Sequence, residues 1–335
     1  MIEFLQKITG AFGPAGEEKI VKDIIRSEID NFCQDIREDK LGNMIVYQEG
    51  ETDKDIMVAA HADEIGLMVT HIDEEGFLRF TPVGGLRAKW IPQKSFIFSD
   101  GIVGTVGVEE EKKNDKKLKF EDMYLDIGAE NREKAEELVK IGDTAVYSRN
   151  FVEAGGRIIA NSLDDRAGCA LLVKLIQEME ESPHNIHYVF TVQEEVGCRG
   201  AKTAAYDIEP DAALAVDVTA TGDTPGSKKR EVSLGEGTAI KVMDRGSITD
   251  TRIKNLLTEL AKKNEISYQY EVLEAGATDA HTIQLSRGGV PSGTVSIPCR
   301  YIHSPGEMID MDDMNRSFEL IKNFLQSKDL AKITG

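Results

Sequence analysis

Two histidines and several carboxylates close the apolar segments of this chain, and their types suit divalent-metal chemistry. The set is His61 with Asp63, Asp164, Glu194 beside Glu195, Asp217 and His303. Imidazole nitrogens mixed with carboxylate oxygens are donors that Zn²⁺ and Co²⁺ accept. Their number exceeds what one tetrahedral ion can use. If Asp164 bridges, two ions each gain three protein ligands: Asp164, His61 and Asp217 for one, Asp164, Glu195 and His303 for the other. Each ion then keeps a position open for solvent or substrate. Two ions about 3.5–4 Å apart lower the pKa of a shared water and polarise a carbonyl, which suits hydrolysis near neutral pH.

The pair Glu194-Glu195 follows an apolar run, Ile186 to Val192. Neighbouring side chains on extended backbone point to opposite sides, so one can hold a metal while the other moves a proton. Alone, the pair reads as a solvated acidic turn. The ligand types arriving at other strand ends change that reading. Asp63, two positions beyond His61, can orient the imidazole through a carboxylate hydrogen bond. Asp164 and Asp165 stand where a loop enters a helix, so one of them is expected to cap it and leave the other free. His71 reads as structural, and His184 and His187 as spectators near the far end of a strand. His281 reads as a wall or supporting residue, and Thr278 or Asp279 as a helix cap.

A scaffold must bring these positions together. Asp55 to His61, Ile186 to Val192 and Asp211 to Thr219 are apolar runs of the kind buried in a mostly parallel sheet, and Gly293 to His303 supplies a last strand. In such sheets chemistry gathers where strands end. Helical spacing of apolar residues marks 1–10, Glu17 to Phe32, Cys169 to Glu181, Asp250 to Asn264 and Met311 to Gln326. Short strands are expected at Gln34 to Asp39 and Asn43 to Gln48. Between residues 69 and 153 the texture changes to short β-like runs divided by glycines, with no chemistry concentrated there. The expected fold class is therefore α/β: a mostly parallel-sheet domain, 1–68 and 154–335, with a small β-rich domain, 69–153, inserted.

The chain has 335 residues, with 40 Lys and Arg against 59 Asp and Glu, a net charge of −19. That balance argues against nucleic acid or an anionic membrane as partner. Four scattered cysteines without a CxxC pair suggest reduced core thiols rather than disulfides. No leader or membrane-length apolar run is visible, and the expected location is cytoplasmic.

The segments Phe12-Gly-Pro-Ala-Gly-Glu17, His61-Ala-Asp63-Glu-Ile-Gly66, Ser162-Leu-Asp-Asp-Arg-Ala-Gly168, Gln193-Glu-Glu-Val-Gly197 and Arg300-Tyr-Ile-His-Ser-Pro305 resemble the motifs of the tetrahedral, dinuclear-metal aminopeptidases. That family includes glutamyl, lysyl and deblocking aminopeptidases, and some members carry an endoglucanase label. The match runs in the family's order from residue 4 to about residue 320. The resemblance implies a metal-dependent aminopeptidase that cleaves the N-terminal bond of short peptides. It implies two divalent ions per subunit, Zn²⁺ or Co²⁺, with Asp164 bridging and His61, Glu195, Asp217 and His303 as the other ligands. Glu194 would be the general base and Asp63 the partner of His61. The β-rich insert would be a dimerisation domain, and the dimers would assemble into a hollow tetrahedral dodecamer.

Other readings carry distinct signatures. A di-metal carboxypeptidase or deacylase needs a cationic grip for a substrate carboxylate. A glycosidase needs only paired carboxylates and leaves both histidines unexplained. A metal-binding structural cage leaves Glu194 without a task. The preferred first residue, the physiological metal and the choice of dimer or dodecamer stay open at the level of sequence.

Overall fold

The protein is described by a computed structural model covering residues 1–33, 35–113, 115–179 and 181–333. The strand expected from Gln34 therefore begins on a residue outside those described, as does Glu180 of the helix expected to end at Glu181. Among the described residues eleven strands form the main sheet. At its centre Asn185–Thr191, Asp55–His61, Ala212–Ala220 and Ser292–Arg300 lie side by side and parallel. Antiparallel strands extend both flanks. Met44–Gln48 and Asp35–Glu38 lie on one side, and Glu307–Asp310, Arg157–Ala160 and Phe151–Ala154 on the other. Thr238–Met243 also pairs with Ser292–Arg300 and carries Tyr268–Val272 as its parallel neighbour.

The central strands read as continuous apolar runs because both faces are covered. Ile56, Val58 and Ala60 point into the larger core, packed under the helices Lys19–Ile29, Leu163–Glu178, Thr251–Lys263 and Met311–Leu325. Met57 and Ala59, of opposite parity, point to a smaller core on the other face. There Ala201, Ala204 and Ala205 of the helix Arg199–Ile208 form a small-residue stripe at helical spacing, letting the helix lie close to the sheet.

The insert is a closed barrel of six antiparallel strands. In order around it these are Gly66–Ile72, Leu78–Val83, Met123–Asp126, Val103–Val108, Ser95–Phe98 and Thr144–Tyr147, and the barrel encloses its own core of Leu78, Phe96 and Leu125. Closure leaves no open sheet edge. The pairings set the changes of sheet at 66 and after 147, where sequence texture suggested 69 and 153. Phe151–Ala154 is β-like but pairs with Arg157–Ala160 in the main sheet. Strand texture alone carries no information about the partner.

Among the described residues no helix is long and apolar enough to cross a membrane. All four cysteines are free.

Candidate metal centre

Register brings the ligand candidates level. Thr191 pairs with His61, and Ala215 pairs with Ala59, so Asp217, two residues on, stands beside His61 on the same face. Asp217 lies inside its strand and not at the end, because Ser292–Arg300 keeps pairing with it as far as Ala220. Three corners of the site hold non-glycine residues in the left-handed region: Ser162 at φ 59°, Gln193 at φ 57° and His303 at φ 64°. Such conformations cost about 1–3 kcal/mol each and persist where surrounding contacts over-determine them.

The carboxylate of Asp164 spans two imidazoles. Its Oδ1 lies 3.1 Å from His61 Nε2, and its Oδ2 lies 3.2 Å from His303 Nε2. Glu195 Oε1 is also 3.2 Å from His303 Nε2. His61, Asp164 and Glu195 bring donor atoms within 4.8 Å of one another, as do His61, Asp165 and Asp217. All five predicted ligands thus converge. Glu194 stands nearby, its Oε2 3.9 Å from His61 Nε2.

A layer of acceptors fixes this constellation. The Asp63 carboxylate lies 3.4 Å from His61 Nδ1, and it accepts the backbone N–H groups of Glu194 at 2.9 Å and Glu195 at 3.0 Å. The carboxylate therefore holds the turn that carries the two glutamates, and the Asp63 backbone carbonyl also faces His61 Nδ1, at 3.2 Å. Asp165 accepts from the N–H of Gly168 at 2.9 Å and of His61 at 3.2 Å, which makes it the capping member of its pair. The Asp164–Asp165 peptide is cis. Glu307, not singled out from sequence, accepts from the N–H of Asp164 at 3.0 Å and of His303 at 2.7 Å. No spacing rule identifies it. A carboxylate just after a tight Ser-Pro-Gly turn was the available signal.

The barrel also reaches the site, contrary to the expectation that no chemistry gathers in the insert. The Gly85 carbonyl lies 3.1 Å from His303 Nδ1, and a Cβ at Gly85 would fall 2.4 Å from the ring's Cε1. Only glycine allows that approach, and the reach from barrel to sheet is a tertiary fact. Cys198, expected as a plain core thiol, donates to Glu194 Oε1 at 3.1 Å. Asp279 makes no side-chain capping bond and instead accepts from Thr191 Oγ1 at 2.5 Å. His281 Nδ1 lies 2.6 Å from the Gly246 carbonyl, and the residue does not line the cavity, which leaves the supporting alternative of its expected role. His184 and His187 sit at the far end of the sheet, bound to Thr52 and Asp55.

Burial and mutual charge shape the titration of the cluster. Burial raises the carboxyl pKa values of Glu194, Asp165 and Asp217 well above the ordinary range. For Asp164 burial acts in the same direction, but hydrogen bonds from His303 and His61 outweigh it and hold the carboxyl low. Burial likewise opposes charge on both imidazoles. The surrounding carboxylates win, keeping His61 high and pushing His303 up to about 12. Divalent cations fit the same donors.

Carboxylates and imidazoles converging at the end of an α/β sheet suit a metal-dependent hydrolase. Residues 42–320 match the M42 glutamyl aminopeptidase family, and the chain belongs to that family. It is 49% identical to a provisionally named aminopeptidase of Acetivibrio thermocellus, over 96% of this chain and 97% of that one. It is 35% identical to the lysyl aminopeptidase of Pyrococcus furiosus, covering 97% and 96% of the two chains. The solved structure of the Pyrococcus horikoshii TET1 peptidase, described as assembling into a tetrahedron or a large octahedral shell, superposes with a TM-score of 0.87. That match is at 34% identity over 97% of this chain and 98% of that one. The protein is a metal-dependent aminopeptidase.

Proposed function

We propose that His61, Asp164, Glu195, Asp217 and His303 hold two divalent ions, zinc or cobalt, with Asp164 shared, and that Glu194 is the general base. The observation that carries this reading is the Asp164 carboxylate, whose two oxygens each face a different imidazole at 3.1 and 3.2 Å. When bound, the ions acidify a water and polarise the scissile carbonyl. Glu194 takes the attacking water's proton and passes it to the departing amine. The thiol of Cys198 holds one Glu194 oxygen, leaving the other directed toward His61. Asp63 positions both glutamates and the His61 ring.

The test is a panel of aminoacyl-p-nitroanilides assayed after chelation and re-addition of zinc, cobalt or manganese. Activity should vanish with chelator, return with at least one ion, and disappear on N-acetylated substrates. Chelator-resistant turnover, or equal cleavage of the acetylated form, would overturn the reading. A glycosidase needs only two carboxylates and leaves the paired imidazoles on Asp164 without a purpose.

The barrel is proposed as the dimerisation unit, with dimers building a tetrahedral dodecamer that admits short peptides, in the cytoplasm. Support comes from the P. horikoshii relative, described as assembling into closed shells. Light scattering should give twelve times the 37.0 kDa chain mass, and a monomer at assay concentrations would refute the cage.

A further inference from the structure

The metal centre opens into a cavity of about 890 Å³, whose wall divides by charge. Among the described residues the carboxylates lining it are Asp164, Glu194, Glu195 and Asp217, all at the reacting end. Its mouth carries Arg87 and Lys89 from the barrel and Lys228 and Arg230 from the loop before Thr238–Met243. Arg87, Lys89 and Lys228 are exposed and Arg230 is half-buried. None of the four has an ion-pair partner among the described residues. Arg300 nearby differs, since a two-pronged ion pair with Asp223 neutralises it. Lys241, deeper in the wall, is matched by Glu271 and Asp244. Four unmatched cations in one cavity wall, three of them exposed, are notable in a chain of net charge −19.

The direction of the substrate gives this mouth a role. Cleavage of the first peptide bond keeps the free amine and the scissile carbonyl at the closed, carboxylate-lined end. The residues after that bond must then leave through the mouth. We propose that Arg87, Lys89, Lys228 and Arg230 form a cationic collar that selects acidic peptides, binding the C-terminal carboxylate and acidic side chains of the departing segment. The inference rests on the aminopeptidase reading of the same site and adds a preference beyond the first residue. A charged cleft with low-dielectric walls focuses its field on an incoming ligand, and salt weakens the effect. The indole of Trp90, with Arg87 4.3 Å and Lys89 5.4 Å from its ring, holds two of the cations at the rim.

The test compares two tetrapeptides on the metal-loaded enzyme. Both carry the first residue that the anilide panel favours, one followed by Ala-Glu-Glu and the other by Ala-Lys-Lys. At low salt the acidic peptide should have a kcat/KM on the order of tenfold higher. The advantage should shrink at high salt, and C-terminal amidation should lower kcat/KM for both peptides. Two charge-reversed variants, Arg87→Glu with Lys89→Glu and Lys228→Glu with Arg230→Glu, should each lower the acidic-to-basic ratio. Because the readout is a ratio, a general loss of activity in a variant cancels. Equal rates for the two peptides at low salt, or a preference that survives both reversals, would overturn the collar. Failure to cleave any free-amine anilide would instead sink the aminopeptidase reading itself.

Discussion

Oδ1 of Asp63 accepts the backbone N–H of Glu194 at 2.9 Å, so a buried carboxylate holds in place the turn that presents the proposed base. The same side chain faces His61 and binds the next N–H, which ties three site residues to one anion. Asp63→Asn removes that charge and one acceptor. Metal affinity should fall by about 10–100-fold, read by competition with a chromogenic chelator. Unchanged affinity would mean that Asp63 only fills space.

Glu194 and Glu195 should separate cleanly. Glu194→Gln should lower kcat by about 10²–10⁴-fold while retaining metal, since the amide cannot take a proton. Glu195→Gln should lower the metal content itself, because it removes a charged donor facing His303. Metal analysis alongside turnover distinguishes the two, and full activity in Glu194→Gln would remove it from the mechanism.

Glu307 supports the site from behind. Glu307→Ala leaves the N–H groups of Asp164 and His303 without their acceptor, at a cost of roughly 1–3 kcal/mol for each buried unpaired group. Denaturant unfolding in chelator should show this loss without metal, and metal affinity should drop as well. A variant as stable as the parent would contradict the assignment.

Gly85→Ala tests the reach of the barrel. The added methyl would fall 2.4 Å from the His303 ring, so ring or loop must shift. Metal affinity should drop while barrel stability changes little. A crystal structure with His303 unmoved would refute the steric account.

Glu64 makes a prediction about acid stability. It is buried between Arg149, which grips it at 2.6 and 2.7 Å, and Arg166, with Ser162 and the Gly13 N–H completing its shell. Burial alone would raise its pKa, but the Arg149 and Arg166 charges win and hold it below the ordinary 4.5. A depressed folded-state pKa means that the native form binds fewer protons than the unfolded one. Its contribution is therefore complete above about pH 4.5 and is lost as pH falls through the lower folded value. Glu64→Gln should cost about 3–5 kcal/mol at pH 7, as expected when one partner of a buried ion pair is removed. The gap to the parent should narrow below about pH 4.5. Unfolding midpoints measured from pH 3 to 7 check both parts, and a gap independent of pH would exclude the linkage.

Much of the centre was legible because metal chemistry demands particular residue types and strands deliver them in recognisable runs. Asp55–His61 and Asn185–Thr191 announce themselves as buried strands, and each leads to a donor. The helices Ile2–Thr9, Thr251–Lys263 and Met311–Leu325 lie within a few residues of their sequence-based bounds, since their apolar stripes follow the helical period. Glu307, Gly85 and the thiol of Cys198 were not legible as site residues. Their roles come from which backbone N–H, ring or carboxylate lies opposite them, and no local pattern encodes that.

The residue types of this chain thus indicated by themselves the α/β class, the inserted β-rich unit and a candidate donor set for divalent metal, because periodicity and ligand chemistry are local properties. Tertiary structure decided which aspartate of Asp164-Asp165 faces the imidazoles and which caps the helix. It also set Asp217 level with His61 and brought cations of the insert and of a later loop to the wall of one cavity. Those outcomes depend on strand register and on the packing of barrel against sheet, where residues far apart in sequence become neighbours.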